Sequence, residues 1–306
     1  MERFRRWVVV WTVWAAVPTA LWAAEGAGTR AFPSLNIAVG AQPVAMGEAG
    51  VALVEDAYAP FWNPAGLAHV ERAQIALFNN AWLLDLRQNG GALVRPLGAS
   101  AGISAHLTYL DYGELVRRDE SGAETGLFRP YDLTAGLGLG FRVSDRLAVG
   151  LVGKYLRQQI DTAKADAFAV DLGLRADLPD RGLAFGAALQ HLGSALRFDG
   201  KSYSLASALR VGVGYRAWED RAAGALDLLF PFGDDPQLSV GLSYLLGGRL
   251  SLRAGYRYTI GGNDLGAVSG ITAGFGLLLE TLVVDYAFVS YGELGPTNRV
   301  SLGLVF

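Results

Sequence analysis

"YDLTAGLGLGFR", Tyr131 to Arg142, is the stretch on which the fold turns. Its odd positions are Tyr131, Leu133, Ala135, Leu137, Leu139 and Phe141, and its even positions are Asp132, Thr134, Gly136, Gly138, Gly140 and Arg142. Successive side chains of a strand point to opposite faces, so this strict alternation makes a strand with one apolar face and one small or polar face. The same split recurs in "DAFAVDLGLRADL" (166–178), "YSLASALRVGVGYR" (203–216), "RLSLRAGYRY" (249–258) and "LVVDYAF" (282–288). Each segment is about ten residues or the better part of it, the length that crosses a bilayer when tilted.

Composition points the same way. The 306 residues are 51% hydrophobic and only 18% charged, too apolar for an ordinary soluble domain. A membrane helix is not the explanation: the best run, Leu265 to Leu279, falls short of a bilayer span and is followed by Glu280 and Asp285. A soluble sandwich would also alternate, but the connections differ systematically. "RVSDRL", "LPDRG", "RAWEDR", "LLGGRL" and "LLLETL" are tight, and those between them, such as "DYGELVRRDESGAETGLFRP", "QQIDTAKAD" and "HLGSALRFDGKSYS", are mostly longer. Tight periplasmic turns alternating with longer outer loops describe a bacterial outer-membrane barrel. From about Ala73 to Phe306 the chain holds roughly fourteen strands, an even number that returns both ends to the periplasmic side. The expected fold is therefore all-β, a transmembrane antiparallel β-barrel of about 14 strands with a small N-terminal plug, in the outer membrane.

Residues 1–24 read as a signal peptide, with Arg3, Arg5 and Arg6 ahead of an apolar run and then small residues; an uncleaved anchor is the alternative. Without them the chain carries 23 basic and 28 acidic side chains, so no nucleic-acid partner is expected. There is no cysteine, which excludes disulfides and thiolate metal sites, and three scattered histidines make no metal-ligand spacing. No metal and no cofactor are expected. The partners expected are outer-membrane lipid and the barrel-assembly machinery, with secretion-system proteins or a hydrophobic ligand beyond them.

The inward face is mostly Gly, Ala, Ser, Thr and Arg, which leaves a lumen that must hold water, a plug or a ligand. Residues 25–72 supply the plug and 73–306 the barrel. "VALVED" (51–56) reads as a short strand, and Asp56 as a helix N-cap. Pro60 suits a first helical turn, Phe61 and Trp62 give that helix an apolar side, and Asn63 is held extended by Pro64. "PAGLA" allows one more turn, ending near Gly66. Gly47, Asp56, Phe61, Trp62, Asn63, Pro64 and Gly66 are the candidate plug or gate residues. Arg249, Arg253 and Arg257 are expected to line the lumen and to pair with carboxylates such as Asp285. The last strand, "NRVSLGLVF", puts Val300, Leu302 and Leu304 on the lipid face and ends at Phe306, the expected assembly signal.

The stretch "GAQPVAMGEAGVALVEDAYAPFWNPAGLA", Gly40 to Ala68, followed by "NAWLLDLR", Asn80 to Arg87, resembles the N-terminal signature of the PorV/PorQ family, within the wider group of FadL-like barrels. That resemblance implies a fourteen-stranded outer-membrane barrel with an N-terminal plug. It also implies one of two functions: a secretion or surface-assembly partner of the PorV type, or a FadL-like passive channel for small hydrophobic molecules such as fatty acids. The chain departs from both in being short, with modest outer loops. An enzyme is the third class. Ser104 and His106 in "GISAHLTY" share the inward face, but same-face neighbours lie about 7 Å apart, too far for a direct hydrogen bond, and no third partner is evident. His191 reads as an interfacial residue near a strand end, and His69 as a neighbour of the plug exit. The mixed charges around Arg117 and Arg118 read as a solvated loop. The inward face lacks the strongly apolar surface a fatty-acid path needs, which favours a non-enzymatic partner role.

Overall fold

The computed structural model describes residues 30–198, 200–262, 266 and 268–306. The expected signal peptide, 1–24, lies outside the described residues. Among the described residues eighteen strands follow one another: β1 (Gln74–Ala81), β2 (Arg87–Leu97), β3 (Ala101–Asp111), β4 (Leu115–Arg118), β5 (Glu124–Phe128), β6 (Tyr131–Ser144), β7 (Leu147–Ile160), β8 (Ala163–Leu178), β9 (Leu183–Gly193), β10 (Leu196–Phe198), β11 (Lys201–Tyr203), β12 (Ala208–Ala217), β13 (Ala222–Pro231), β14 (Gln237–Leu246), β15 (Leu250–Thr259), β16 (Ile271–Leu279), β17 (Leu282–Ser290) and β18 (Pro296–Val305). Fourteen of them close one antiparallel barrel, and β4–β5 and β10–β11 form two separate hairpins. The first strand pairs with the last from Gln74↔Val305 to Ala81↔Asn298, so no edge of the barrel sheet is left open.

Alternation in the sequence becomes alternation in space. Along β6, Leu137, Leu139 and Phe141 are exposed on the outer face, and Thr134, Gly136, Gly138 and Gly140 are buried inward. Leu242, near the middle of β14, is 64% exposed on the outer face. Arginine there would sit in hydrocarbon, at a cost of about 2–4 kcal/mol for a midplane position. Leu242→Arg is accordingly expected to lower the urea midpoint of the folded barrel, read from its heat-modifiable mobility, with Ser243→Arg on the opposite face much less affected.

The connections sort into two ends. Turns 98–100, 145–146, 179–182, 218–221, 247–249 and 280–281 lie with the start of β1 and with Phe306, whose amide donates to the Ala73 carbonyl at 2.9 Å. The opposite end carries the longer connections and both hairpins. "QQIDTAKAD" corrects one expectation: it is not a loop, because β7 and β8 stay paired to Ile160↔Ala163 and turn on Asp161 and Thr162 alone. Asp161 supplies the left-handed residue (φ 54°) that so tight a turn requires.

Residues 31–70 run through the lumen from one end to the other. Ala31 makes a parallel bridge to Leu205 at the long-loop end, and the Ser34 hydroxyl donates to Asp132 at 2.6 Å. The chain then passes through helix α1 (Ala41–Ala45), helix α2 (Ala59–Trp62) and a 3-10 turn, Pro64–His69, before leaving at the short-turn end into β1. Its apolar side chains Val44, Val54, Tyr58, Trp62 and Leu67 pack with Phe78, Val94 and Val289 of the wall. "VALVED" is not a strand: residues 51–53 are turn, with the Leu53 and Val54 amides both donating to the Gly50 carbonyl. A closed barrel offers no strand edge to pair with, and the Gly50 and Val51 amides donate instead to the Asp227 carboxylate, at 2.8 and 2.9 Å.

Candidate plug and wall interface

The inward glycines have a specific partner. A Cβ at Gly140 or Gly150 would overlap the Pro64 backbone, at Gly102 the Leu67 carbonyl, at Gly173 the Asn63 side chain, at Gly186 the Val51 carbonyl and at Gly241 the Met46 carbonyl. Small wall positions that in the sequence left room in the lumen are thus filled by plug backbone.

Asn63 is the most fully engaged plug residue. It is completely buried and extended (φ −154°, ψ 106°), the conformation its following proline favours. Its amide nitrogen donates to Val51 O at 2.8 Å and across to Leu174 O of the wall at 3.0 Å, and its oxygen accepts from the Ala65 amide at 3.1 Å. Trp62 donates through Nε1 to Val39 O at 2.9 Å and lies under the Arg210 guanidinium, 4.8 Å from ring centre to Cζ. The Phe61 ring rests against His106 at 4.6 Å and its carbonyl accepts from Gln190 at 2.8 Å. Gly47 adopts φ 69°, donates to Thr272 at 2.9 Å, and stands where a Cβ would overlap the Val240 and Tyr256 backbones.

Two plug expectations are corrected. Asp56 does not cap α2 directly: the residue before the helix is Tyr58, and Asp56 Oδ1 accepts from the Tyr58 amide at 2.8 Å, two residues on. The short side chain reaches its nearest free amide, which lies in the turn that leads into the helix. Gly66 does not end the second turn, which runs from Pro64 to His69; a Cβ at Gly66 would overlap Val54 O, so glycine serves close packing there.

Carboxylates on the plug meet arginines on the wall. Glu48 accepts from Arg257 at 2.5 Å, and Glu55 takes Arg175 at 2.9 Å and Arg216 at 2.8 Å. Arg257 therefore pairs with the plug and not with a wall carboxylate as the sequence suggested. Arg253 does pair with Asp285, at 2.6 Å and buried. Arg249 corrects the lumen-lining expectation: Leu246 pairs with Leu250, which leaves Arg249 exposed in the turn. Sequence reasoning missed Glu48, Glu55, Arg175, Arg210 and Arg216 as partners. Their inward phase on alternating strands was the available signal for the arginines.

Among the histidines, His191 differs from expectation. His191 is buried in a bulge where Asp171 faces an extra residue of β9, with left-handed backbone (φ 59°). Its amide donates to Asp171 at 2.7 Å and its Nδ1 lies 3.1 Å from Lys154 Nζ, so it belongs to a buried Lys154–Asp171 pair and not to an interface. His69 lies 3.0 Å from Asp177 at the plug exit. Ser104 Oγ and both His106 ring nitrogens have no hydrogen-bond partner among the described residues, and no bond joins the two side chains.

Beyond the wall, the loops are ordered by local contacts. Arg118 pairs with Glu124 at 2.7 Å within the β4–β5 hairpin, and Arg117 reaches Asp161 in the β7–β8 turn, which ties the hairpin to its neighbour. The Ser121 hydroxyl and the Ala123 amide hold Asp119 below the usual carboxylate range. Burial and the neighbouring Asp132 carboxylate push the Tyr112 hydroxyl up.

The space that remains is uneven. Between plug and wall, on the long-loop side of Phe61 and Trp62, lies a cavity of about 70 Å³, bordered by His106, Lys154, Gln190 and Arg210. That holds a few water molecules. At the short-turn end a polar vestibule of about 790 Å³ opens around Glu55, Arg72, Arg142, Asp177 and Arg216.

Known proteins were compared with the chain. The family described as type IX secretion system protein PorV matches residues 23–217. Among solved structures, the CymD monoaromatic hydrocarbon channel superposes with a TM-score of 0.64 at 14% identity, covering 88% of this chain and 98% of that one. The Pseudomonas putida toluene transporter TodX gives 0.60 at 16% identity, with the same two coverages. A Pseudomonas aeruginosa FadL homologue gives 0.54 at 14%, again over 88% and 98%. At these identities the likeness is one of fold. A search of curated protein sequences gives no match.

Proposed function

The chain belongs to the family of the type IX secretion system protein PorV, bacterial outer-membrane β-barrels, and from that membership we propose that it serves as a non-enzymatic secretion or surface-assembly partner. The observation that carries this reading is the doubly anchored plug. Glu48 and Glu55 are each held by wall arginine, and while a space of about 390 Å³ lies between plug and wall beside Met46, Tyr58 and Arg253, the cavity on the long-loop side of Phe61 has room for water but not for an acyl chain. A barrel sealed in this way acts through its surfaces. On this reading residues 1–24 are a removed signal peptide, 25–72 the plug and 73–306 the barrel, with the short-turn end in the periplasm.

The test is deletion of the gene in its own host, with two readouts in the same strain. Proteins normally attached to the surface are expected to disappear from it and to accumulate in the periplasm, with uptake of a labelled fatty acid unchanged. Normal surface attachment together with lost fatty-acid uptake would sink the partner reading in favour of the FadL-like channel.

Phe306 carries a separate expectation. It is 66% exposed and directly follows β18, in phase with the outward Leu302 and Leu304. As the terminal residue recognised by the barrel-assembly machinery, its deletion is expected to cut the amount of heat-modifiable barrel in the outer membrane several-fold. Normal levels in the deletion strain would remove that role.

A further inference from the structure

Three guanidinium groups gather around one bend of the plug. Gly47 and Glu48 both have left-handed backbone, φ 69° and 66°, which a residue such as Glu48 keeps only where its surroundings enforce it. Arg257 donates to the Glu48 carboxylate at 2.5 Å and Arg210 to its carbonyl at 2.8 Å. Arg210 also lies 3.8 Å from Asp227. The third group, Arg299 on β18, is 2% exposed and stacks over the Trp82 ring, 5.2 Å from Cζ to the ring centre.

Arg299 pairs with no carboxylate among the described residues. None of its three guanidinium nitrogens finds a hydrogen-bond partner among the described residues. Three buried oxygens around it are in the same condition. They are Asn80 Oδ1, on the residue paired across the ladder with Arg299; Thr297 Oγ1, two residues earlier on the same face; and the Tyr291 hydroxyl, whose ring meets Trp82 edge-on at 5.0 Å. A buried guanidinium without an acceptor is costly. Among the described residues the carboxylates that meet this trio are Glu48, at Arg257, and Asp227, at Arg210, three positive groups against two negative ones.

We propose that this part of the wall, Arg257 and Arg299 with the Tyr291 and Thr297 hydroxyls, is a binding site for a compact oxyanion, a carboxylate or phosphate group, whose internal occupant is Glu48. The planar guanidinium fork matches both groups, and two hydroxyl donors complete the set. Arg299 is the arm left free for the incoming group. Once bound there, the oxyanion competes with Glu48 for Arg257, and the plug bend loses the contact that holds its left-handed backbone. The site thereby couples an anion to the plug's anchorage.

The test uses the full-length barrel in detergent, titrated with sodium phosphate and, separately, sodium acetate against sodium chloride at matched ionic strength. Binding is followed by calorimetry and by the fluorescence of the tryptophans, since Trp82 carries Arg299. Glu48→Gln keeps the shape and removes the internal charge, and it is expected to bind phosphate at least ten-fold more tightly than the wild type. Arg299→Met in the Glu48→Gln background is expected to abolish that gain. Phosphate and acetate binding the Glu48→Gln barrel no more tightly than the wild type overturns the site. So does a gain that survives Arg299→Met, or one that chloride reproduces. If Arg299→Met does not assemble, Arg299→Lys keeps the charge without the fork; it is expected to lose most of the gain, and full retention overturns the assignment.

Discussion

Valine in place of Gly150 is expected to leave a barrel that assembles but no longer seals. The Cβ would overlap the Pro64 carbonyl group and the Ala65 nitrogen, all plug backbone that no rotamer change can move. Overpacking in a filled interior costs about 1–3 kcal/mol, and here the strain falls on the contact between the two layers. The ladders from β7 to its neighbours, Gly150↔Gly140 and Gly150↔Gly173, use backbone groups that the substitution leaves in place. Relief therefore comes by expelling the 3-10 turn from its seat. In planar bilayers the wild type should stay near baseline and Gly150→Val should show discrete open steps. Gly153 is the control. It lies on the same strand with nothing within 4 Å of an added Cβ, so Gly153→Val should conduct like the wild type. Equal conductance in all three would refute the seating of the plug on these glycines.

Asn63→Ala carries the second large expectation. The substitution removes the donor to Val51 O and Leu174 O and the acceptor for the Ala65 amide, in a place without solvent. Each buried group left without a partner costs about 1–3 kcal/mol, so the loss should exceed about 2 kcal/mol. Urea unfolding in micelles, followed by heat-modifiable mobility, should show a clearly lower midpoint for Asn63→Ala. Trypsin should also cut the plug segment faster at Arg72, next to its exit. A midpoint shift below about 0.5 kcal/mol would mean that these three hydrogen bonds do not hold the plug.

The barrel was legible in the sequence because lipid imposes a rule on every second residue. Leu137, Leu139 and Phe141 could be placed outward without knowing what lay within, since one face of each strand sees a uniform environment. The inward face obeys no such rule. Gly140 and Gly150 are glycines because of Pro64, some eighty residues away in sequence, and no local pattern carries that distance. The pairing of Arg257 with Glu48 failed for the same reason: inward phase identified the arginine, but which carboxylate it meets depends on where the plug bends. "VALVED" shows the complementary error. Its composition suits a strand, but strand formation needs a free edge and closure had removed it. Asn63 was legible in conformation, through Pro64, and illegible in its reach to Leu174 across the lumen.

The path of residues 31–70 has a consequence for how the molecule is made. Ala31 is tied to Leu205 at one mouth and Val70 leaves at the other, so the segment lies along the axis of a ring whose last join is β1 to β18. That join links residues nearly a whole barrel apart in sequence, a slow kind of contact to form. Before it closes, the nascent sheet is an open trough, and the segment can be laid in sideways, with each glycine of the wall meeting its stretch of backbone. After it closes, the segment could enter only lengthwise, past bends that fit their seats in one position. From the seam between the ends of the chain we infer an order of events in which the filling is cast first and the wall is finished around it; a β1–β18 cross-link formed before the segment is protected from trypsin would overturn that order.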